Sequence, residues 1–497
     1  MSSVSVALGA VASVSCAQIA GIEEASGSAR PVDSVAVTRL SIGATLTQAP
    51  LDLGSFTATY FVANAASPTG FDRVMANASA TAGMWSTKLY DPAPVEFMLP
   101  DVPAPLPRLF SFPSHQLQVL YGVLEHPNPV PAPDGATFTV TAPLDTAITA
   151  ADSFQTYVVG AWLARNFVAG EFAVGATSIG PVTYGFAAAN SVAGRPKPDQ
   201  VTPADAFLIL RYAAGGLTGV AEATGVDQSG AATTVTAPAM VAVPQDQTLD
   251  VKIAPAMLMN RYGFVRPAVG SLVMNWNLVA APGYRTATNA GPSLHNGSLT
   301  AAEVGVTLKY GNPFAARGWN AMFVLGTSES RVYTAPGTTA SLSLVAGLNQ
   351  FIEPSPGFQL TLPAGLPILV KVDGALVSSD GQMIKQPSKF VQVTFVTDTP
   401  GGASDPSATF YELQVWDLVP NPMVATTLDR HLVLAAASSE ARFDLPPDVF
   451  QMGHSYTLRA ITELGGFPAI GGGNFAMREL PLAQSYLDSP VITVTPP

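Results

Sequence analysis

The chain has 497 residues, of which 48% are hydrophobic and 12% are charged, and its formal net charge is −12. This apolar content is enough for several folded cores and too high for a disordered chain. An acidic chain without a basic stripe cannot neutralise phosphates, so we expect no nucleic-acid partner. The single cysteine excludes a disulfide framework and any zinc site built from several cysteines.

The N-terminal segment from Met1 to Ala20 is uncharged, small and apolar, and it contains Cys16, the only cysteine. It resembles the leader of bacterial lipoproteins, in which lipid chains on the cysteine hold the protein to a membrane. More than one acyl chain is what makes such anchoring stable. The resemblance implies that Cys16 is acylated, and the polar residues up to 32 would form a tether. Two alternatives are a plain secretion signal and a small buried Cys16 at the head of a strand.

The rest of the chain contains short runs of alternating or β-branched residues separated by turn residues. With 43 glycines and 43 prolines, long helices are not expected. The short alternating or β-branched runs predict strands. They are Val35–Leu40, Phe56–Val62, Trp85–Leu89, Val95–Leu99, Leu117–Leu124, Thr137–Thr141, Phe154–Trp162, Val182–Phe186, Phe207–Tyr212, Thr233–Thr236, Leu249–Ile253, Ser271–Val279, Val304–Leu308, Met322–Leu325, Ala340–Val345, Phe390–Thr397, Thr409–Leu418, Ala441–Leu445, Tyr456–Ile461 and Val491–Thr495.

This rhythm predicts an all-β chain of three or four tandem antiparallel β-sandwich domains. Seven prolines between Asp91 and Pro113 indicate an irregular or edge segment and a domain border. The predicted domains are a leader and tether at 1–32, followed by sandwiches at 33–112, 113–246, 247–355 and 356–497. The segments 113–246 and 247–355 could also form one unit.

The C-terminal segment carries an apolar residue, a glycine turn and a tyrosine at Phe450, Gly453 and Tyr456. In this spacing it resembles fibronectin type III and related immunoglobulin-like domains. The resemblance implies a tyrosine corner, in which the Tyr456 hydroxyl bonds to the upstream backbone. It concerns fold, and fold does not imply function.

No catalytic motif is found. The five histidines have neither metal-ligand nor zinc-protease spacing, no G-x-S-x-G elbow occurs, and the glycine clusters are not phosphate loops. The five tryptophans, spread along the chain, favour core anchors over a sugar-binding platform. We therefore expect no cofactor, no metal site and no enzymatic activity.

These observations predict an exported, lipid-anchored protein of a bacterial cell envelope, at the outer membrane or cell surface. Its role would be structural, adhesive or ligand-binding, with a membrane contact through Cys16 and a protein or polysaccharide ligand. One alternative is a carbohydrate-active hydrolase or its accessory module, because paired carboxylates need proximity only in space. Another is a viral shell or spike protein, which would share the composition and the scarcity of cysteine.

Overall fold

The structure is a computed structural model that describes most of the chain from residue 32 onward. The described residues are 32–43, 46–53, 58–75, 77–79, 83–88, 95–99, 106–111, 116–124, 126, 130–185, 190–191, 199–252, 274–281, 291–299, 306–335, 338–352, 359–360, 365, 367–397, 409–424, 426–465 and 481–497. Within these ranges the elements are β-strands and two single turns of 3-10 helix, Ala315–Arg317 and Pro447–Val449. The prediction of an all-β chain is confirmed.

The strands are numbered in chain order. The first nine are β1 (Val32–Ile42), β2 (Leu46–Pro50), β3 (Ala58–Ala63), β4 (Phe71–Met75), β5 (Asn77–Ser79), β6 (Met84–Lys88), β7 (Val95–Leu99), β8 (Leu106–Ser111) and β9 (Gln116–Val123). The next ten are β10 (Thr137–Pro143), β11 (Asp152–Val159), β12 (Leu163–Asn166), β13 (Ser178–Gly185), β14 (Asn190–Ser191), β15 (Ala206–Ala213), β16 (Gly216–Ala223), β17 (Ala232–Thr236), β18 (Val241–Ala242) and β19 (Gln247–Val251).

The second half of the chain continues this pattern with longer strands. Its first six are β20 (Met274–Ala281), β21 (Ser293–Leu299), β22 (Val306–Tyr310), β23 (Asn320–Ala335), β24 (Thr338–Phe351) and β25 (Gln359–Leu360). The last ten are β26 (Pro367–Val372), β27 (Ala375–Leu376), β28 (Gln382–Lys385), β29 (Val391–Thr397), β30 (Thr409–Pro420), β31 (Leu428–Ser438), β32 (Arg442–Leu445), β33 (Ser455–Gly465), β34 (Pro481–Asp488) and β35 (Ile492–Thr495).

A network of 20 hydrogen-bonded strands joins both halves of the described chain. Its path is β12–β11–β15–β16–β21–β20–β23–β24–β34–β33–β30–β31–β8–β7–β3–β4. The short strands β14 and β18 extend it, and β35 joins β33 to β28. Four smaller sheets are β2–β1–β6–β5 with β9 beside β1, β13–β10–β17, β22–β19–β25 and β27–β26–β29–β32.

Strand β15 shows why a continuous apolar run forms a strand here. Phe207 and Ile209 pack with the sheet β13–β10–β17, whereas Leu208 and Leu210 pack in a second core that includes β19 and β22. Successive strand side chains point to opposite faces, so a strand with both faces buried needs no polar alternation. Both faces of β15 are therefore core faces.

The C-terminal core lies between the sheet β27–β26–β29–β32 and the strands β30, β31 and β33. Phe61 of β3 and Leu109 of β8 belong to the same core, so strands from the N-terminal part of the chain pack against the C-terminal part. The buried apolar side chains include Val370, Val393, Phe395, Leu413, Leu434, Phe443, Leu458, Ile492 and Val494.

The proline-rich segment contains more regular structure than its composition predicts. Leu106–Ser111 (β8) pairs antiparallel with β7 and parallel with β31, so it is an interior strand and not an edge. Pro107 lies opposite Met98 of β7, and the register with β31 begins one residue later, at Arg108.

Several pairings connect segments that the sequence predicts to lie in different domains. Strand β1 runs parallel to β9, β24 pairs with β34, and Gly216 of β16 pairs with His295 of β21. The indole N–H of Trp162 also donates a hydrogen bond of 2.6 Å to the carbonyl oxygen of Ile42. The predicted borders at residues 112, 246 and 355 stay predictions.

Candidate functional site

The predicted lipidation site, Cys16, lies outside the described residues, as do the remainder of the leader and the tether up to residue 31. Its acylation therefore stays a prediction.

The predicted corner residues lie together at the start of β33. The hydroxyl oxygen of Tyr456 accepts a hydrogen bond of 2.9 Å from the backbone N–H of Gln451. The Tyr456 ring packs edge-on against the buried Phe450, with 5.4 Å between ring centroids. Gly453 makes the turn with a φ of +81°, a conformation that glycine adopts without steric cost. Burial raises the pKa of Tyr456 to about 12, so its hydroxyl stays protonated and holds the loop.

A cleft of about 530 Å³ opens where the strands β11, β12, β15 and β21 meet. Three side-chain amides line it, Gln155, Asn166 and Asn296, together with hydroxyl groups of Ser153, Ser293 and Tyr212. The rings of Phe154 and Phe167, both buried, also contribute to the lining. The cleft therefore combines neutral hydrogen-bonding residues with two phenylalanines.

A chain of hydrogen bonds fixes polar groups of the cleft across three strands. The Tyr212 hydroxyl donates to Gln155 Oε1 at 3.4 Å. Gln155 Nε2 then donates to Asn166 Oδ1 at 2.9 Å. Burial raises the pKa of Tyr212. Tyr212 is therefore a neutral donor at physiological pH.

A tight hairpin turn forms one side of the cleft. Ala214 and Gly215 connect β15 to β16 with φ values of +48° and +82°, the two left-handed residues of a type I′ turn. The backbone N–H of Asn296 donates to the carbonyl oxygen of Gly215 at 2.9 Å. A Cβ atom on Gly215 would lie 2.6 Å from the carbonyl oxygen of Asn296. Glycine at this position thus permits the close contact between the turn and β21.

Charged residues next to the cleft are paired with one another. Arg211, beside Tyr212 in the chain, makes bidentate hydrogen bonds of 3.0 and 2.7 Å to the carboxylate of Asp152. The hydrogen bonds from Arg211 hold the pKa of Asp152 below its usual value, against the effect of burial. Arg165, beside Asn166, likewise binds Glu171. These charges neutralise each other locally, which leaves the cleft itself uncharged.

A second polar cluster surrounds the fully buried Asp488 of β34. Arg459 donates to it from Nε at 2.8 Å, Arg430 also forms an ion pair with it, and the backbone N–H of Val345 donates at 2.8 Å. The two guanidinium groups lie over the ring of Trp416, at 5.5 and 5.8 Å from its centroid. Trp416 is partly buried, and its ring faces these two cations.

Histidines form two carboxylate pairs that sequence spacing could not predict. His126 Nε2 lies 2.7 Å from Asp205, whose side chain is 2% exposed. His454 Nδ1 lies 2.9 Å from Asp417. The partners are 79 and 37 residues apart in the chain.

Neither metal ligation nor a membrane-spanning helix is seen in the described residues. No three or more of their His, Cys, Asp and Glu side chains are grouped so that they could hold a metal ion. In the same part of the chain, no helix has the length and apolar character needed to cross a membrane.

Comparisons with known proteins return little similarity. No protein-family model matches the chain, and no curated protein matches it. Among solved structures, the chain is similar to one described as "Structure of the Streptococcal ancillary pilin", with 10% sequence identity and a TM-score of 0.13. The match covers 66% of this chain and 98% of the pilin chain. At that identity and TM-score the similarity carries no argument, and no family is assigned.

Proposed function

We propose that this chain is an exported protein of the bacterial cell envelope, anchored through lipid on Cys16, with a non-enzymatic adhesive or ligand-binding role. The observation that carries the proposal is the combination of the Cys16 leader with an all-β body. In this reading the body consists of three or four tandem β-sandwiches. The last of them is fibronectin-III-like or immunoglobulin-like, with Tyr456, Gly453 and Phe450 forming its tyrosine corner.

The geometry of the cleft supports binding in preference to hydrolysis. A glycosidase needs two carboxyl groups on either side of the scissile bond, about 5–10 Å apart. Among the described residues that line the cleft, none is an aspartate or a glutamate. We therefore assign the cleft to ligand binding.

The anchor is tested by metabolic labelling with a clickable palmitate analogue in a bacterial host that expresses the full-length chain. We expect label on the wild-type protein and its recovery in the membrane fraction, because acyl chains partition into the bilayer. Cys16→Ser removes the thiol but keeps the size of the side chain, and this variant should carry no label. A wild-type protein without label, or equal labelling of Cys16→Ser, would refute the anchor.

A further inference from the structure

We infer that the cleft between β11, β12, β15 and β21 binds a neutral polyhydroxylated ligand, a saccharide without carboxylate or sulfate groups. The inference rests on the proposed function, because a surface location would bring the cleft into contact with polysaccharide. It deepens that function by naming the site and the class of ligand.

The size and position of the cleft are those of a small-molecule site. Its volume of about 530 Å³ falls within the range of roughly 300–1000 Å³ typical of ligand pockets. It lies where β16 and β21 meet through a single residue pair, Gly216 and His295. Clefts between packed elements of a fold are common ligand sites.

The charge of the cleft selects against ionic ligands. Of the lining residues that the structure describes, none carries a charge. The charged side chains next to lining residues in the chain are paired, Arg211 with Asp152 at 2.7 Å and Arg165 with Glu171. An ionic ligand would lose part of its hydration in the cleft without gaining a counter-ion from the lining residues. A neutral polar ligand does not incur this cost.

The cleft offers hydrogen-bonding groups that the described protein residues do not use. Asn166 Oδ1 accepts a hydrogen bond from Gln155, whereas its Nδ2 group has no partner among the described residues. The side chain of Asn296 is exposed and likewise makes no bond within that part of the chain. A side-chain amide carries two N–H donors and an acceptor oxygen. This combination matches the hydroxyl groups of a sugar, each of which both donates and accepts.

Small residues allow a ligand to approach the backbone closely. Ala151, Ala213, Ala214 and Gly215 line the cleft beside the amides. The turn at Ala214 and Gly215 is fixed to β21 by the hydrogen bond from Asn296. Because the hydrogen bonds from Tyr212 to Gln155 and from Gln155 to Asn166 are already formed, these two amides are oriented before the ligand arrives. Such preorganisation lowers the entropic cost of binding.

The test is a glycan array probed with the purified full-length protein, followed by isothermal titration calorimetry with the neutral oligosaccharide that gives the strongest signal. The array carries neutral glucans, mannans and galactans together with polyuronates and sulfated glycans. We expect binding to neutral glycans only. Asn166→Ala should weaken this binding at least tenfold, since it removes a donor and an acceptor.

Two further variants separate loss of the site from loss of the fold. Ala151 is exposed and lines the cleft, so Ala151→Trp fills the site without altering a core and should abolish binding. Gln451→Ala removes an exposed amide outside the cleft and should bind like the wild type. All variants are compared with the wild type by circular dichroism and thermal melting.

Binding to charged glycans alone, no binding to any neutral glycan, or unchanged affinity in Asn166→Ala and Ala151→Trp would overturn the inference. Binding to purified protein does not depend on acylation. The absence of label on Cys16 therefore refutes the anchor alone, and the absence of glycan binding refutes the cleft alone.

Discussion

Asp488 provides the sharpest test of how the β-network is held together. Its side chain is 0% exposed, and Arg459 and Arg430, about one fifth exposed, both bind it. Asp488→Asn keeps the size of the side chain but leaves two cations without their counter-charge. Breaking a buried ion pair by neutralising one partner costs about 3–5 kcal/mol. At 1.4 kcal/mol per factor of ten, this cost raises the equilibrium constant for local unfolding around Asp488 by roughly a hundredfold to a few thousandfold.

The matched control is Asp448→Asn, which makes the same chemical change in an exposed pair. Asp448 lies 3.0 Å from Arg73, and their side chains are 64% and 52% exposed. Exposed pairs contribute about 0–1 kcal/mol, because water and salt screen them. Hydrogen exchange measured by mass spectrometry should show loss of protection in peptides from β31, β33 and β34 for Asp488→Asn. Protection should remain nearly unchanged in the control.

Hydrogen exchange suits this chain because it reports local opening, so it does not require two-state unfolding of all 497 residues. Equal protection in Asp488→Asn and wild type, or equal losses in Asp488→Asn and Asp448→Asn, would refute the reasoning. The buried carboxylate would then have no larger effect than a surface charge.

The remaining predictions concern a buried hydroxyl and acid stability. Tyr456→Phe removes the acceptor for the Gln451 N–H and should lower the free energy of local unfolding around the start of β33 by about 1 kcal/mol, measured by hydrogen exchange. Tyr157→Phe should leave the protection of β11 nearly unchanged in the same measurement, because the Tyr157 hydroxyl has no partner among the described residues. Equal losses of protection in the two variants would contradict this. For Asp488, burial opposes ionisation, but Arg459 and Arg430 hold its pKa below the usual value, as Arg211 does for Asp152. A pKa that is lower in the folded state than in the unfolded state means that the ionised carboxylate stabilises the native state. This stabilisation is present above the unfolded pKa of about 3.9 and is lost as pH falls through the folded pKa. Urea midpoints from pH 7 to pH 3 should fall more steeply for wild type than for Asp488→Asn, and parallel curves would contradict the assignment.

Local sequence patterns predicted many strands but missed those that depend on their partners. The predicted strand Val95–Leu99 has the bounds of β7, and Thr409–Leu418 lies within β30. Gly216–Ala223 (β16) and Leu428–Ser438 (β31) were missed, since both contain glycine or alanine, which favour strands weakly. Both lie between neighbouring strands, and burial in the network outweighs their weak propensity.

The cleft could not have been predicted from the sequence. Gln155 and Asn166 are close in the chain, but Asn296 is 130 residues beyond Asn166, and no motif joins these residue types. The local signal at the cleft is Gly215 and Gly216, a residue pair typical of turns, and the structure places Gly215 in the turn between β15 and β16. Nothing in the sequence shows that this turn meets β21.

The sequence by itself determined the class of the fold. Alternation, β-branched residues and frequent Gly and Pro act within a few residues of each other, so the all-β character can be read without knowing any partner. The tertiary structure decided which strands are neighbours, that β8 is interior, that Trp416 lies under Arg430 and Arg459, and where the cleft opens. These features depend on contacts between residues that are distant in the chain, and a β-strand's hydrogen bonds are made to other strands and not within itself.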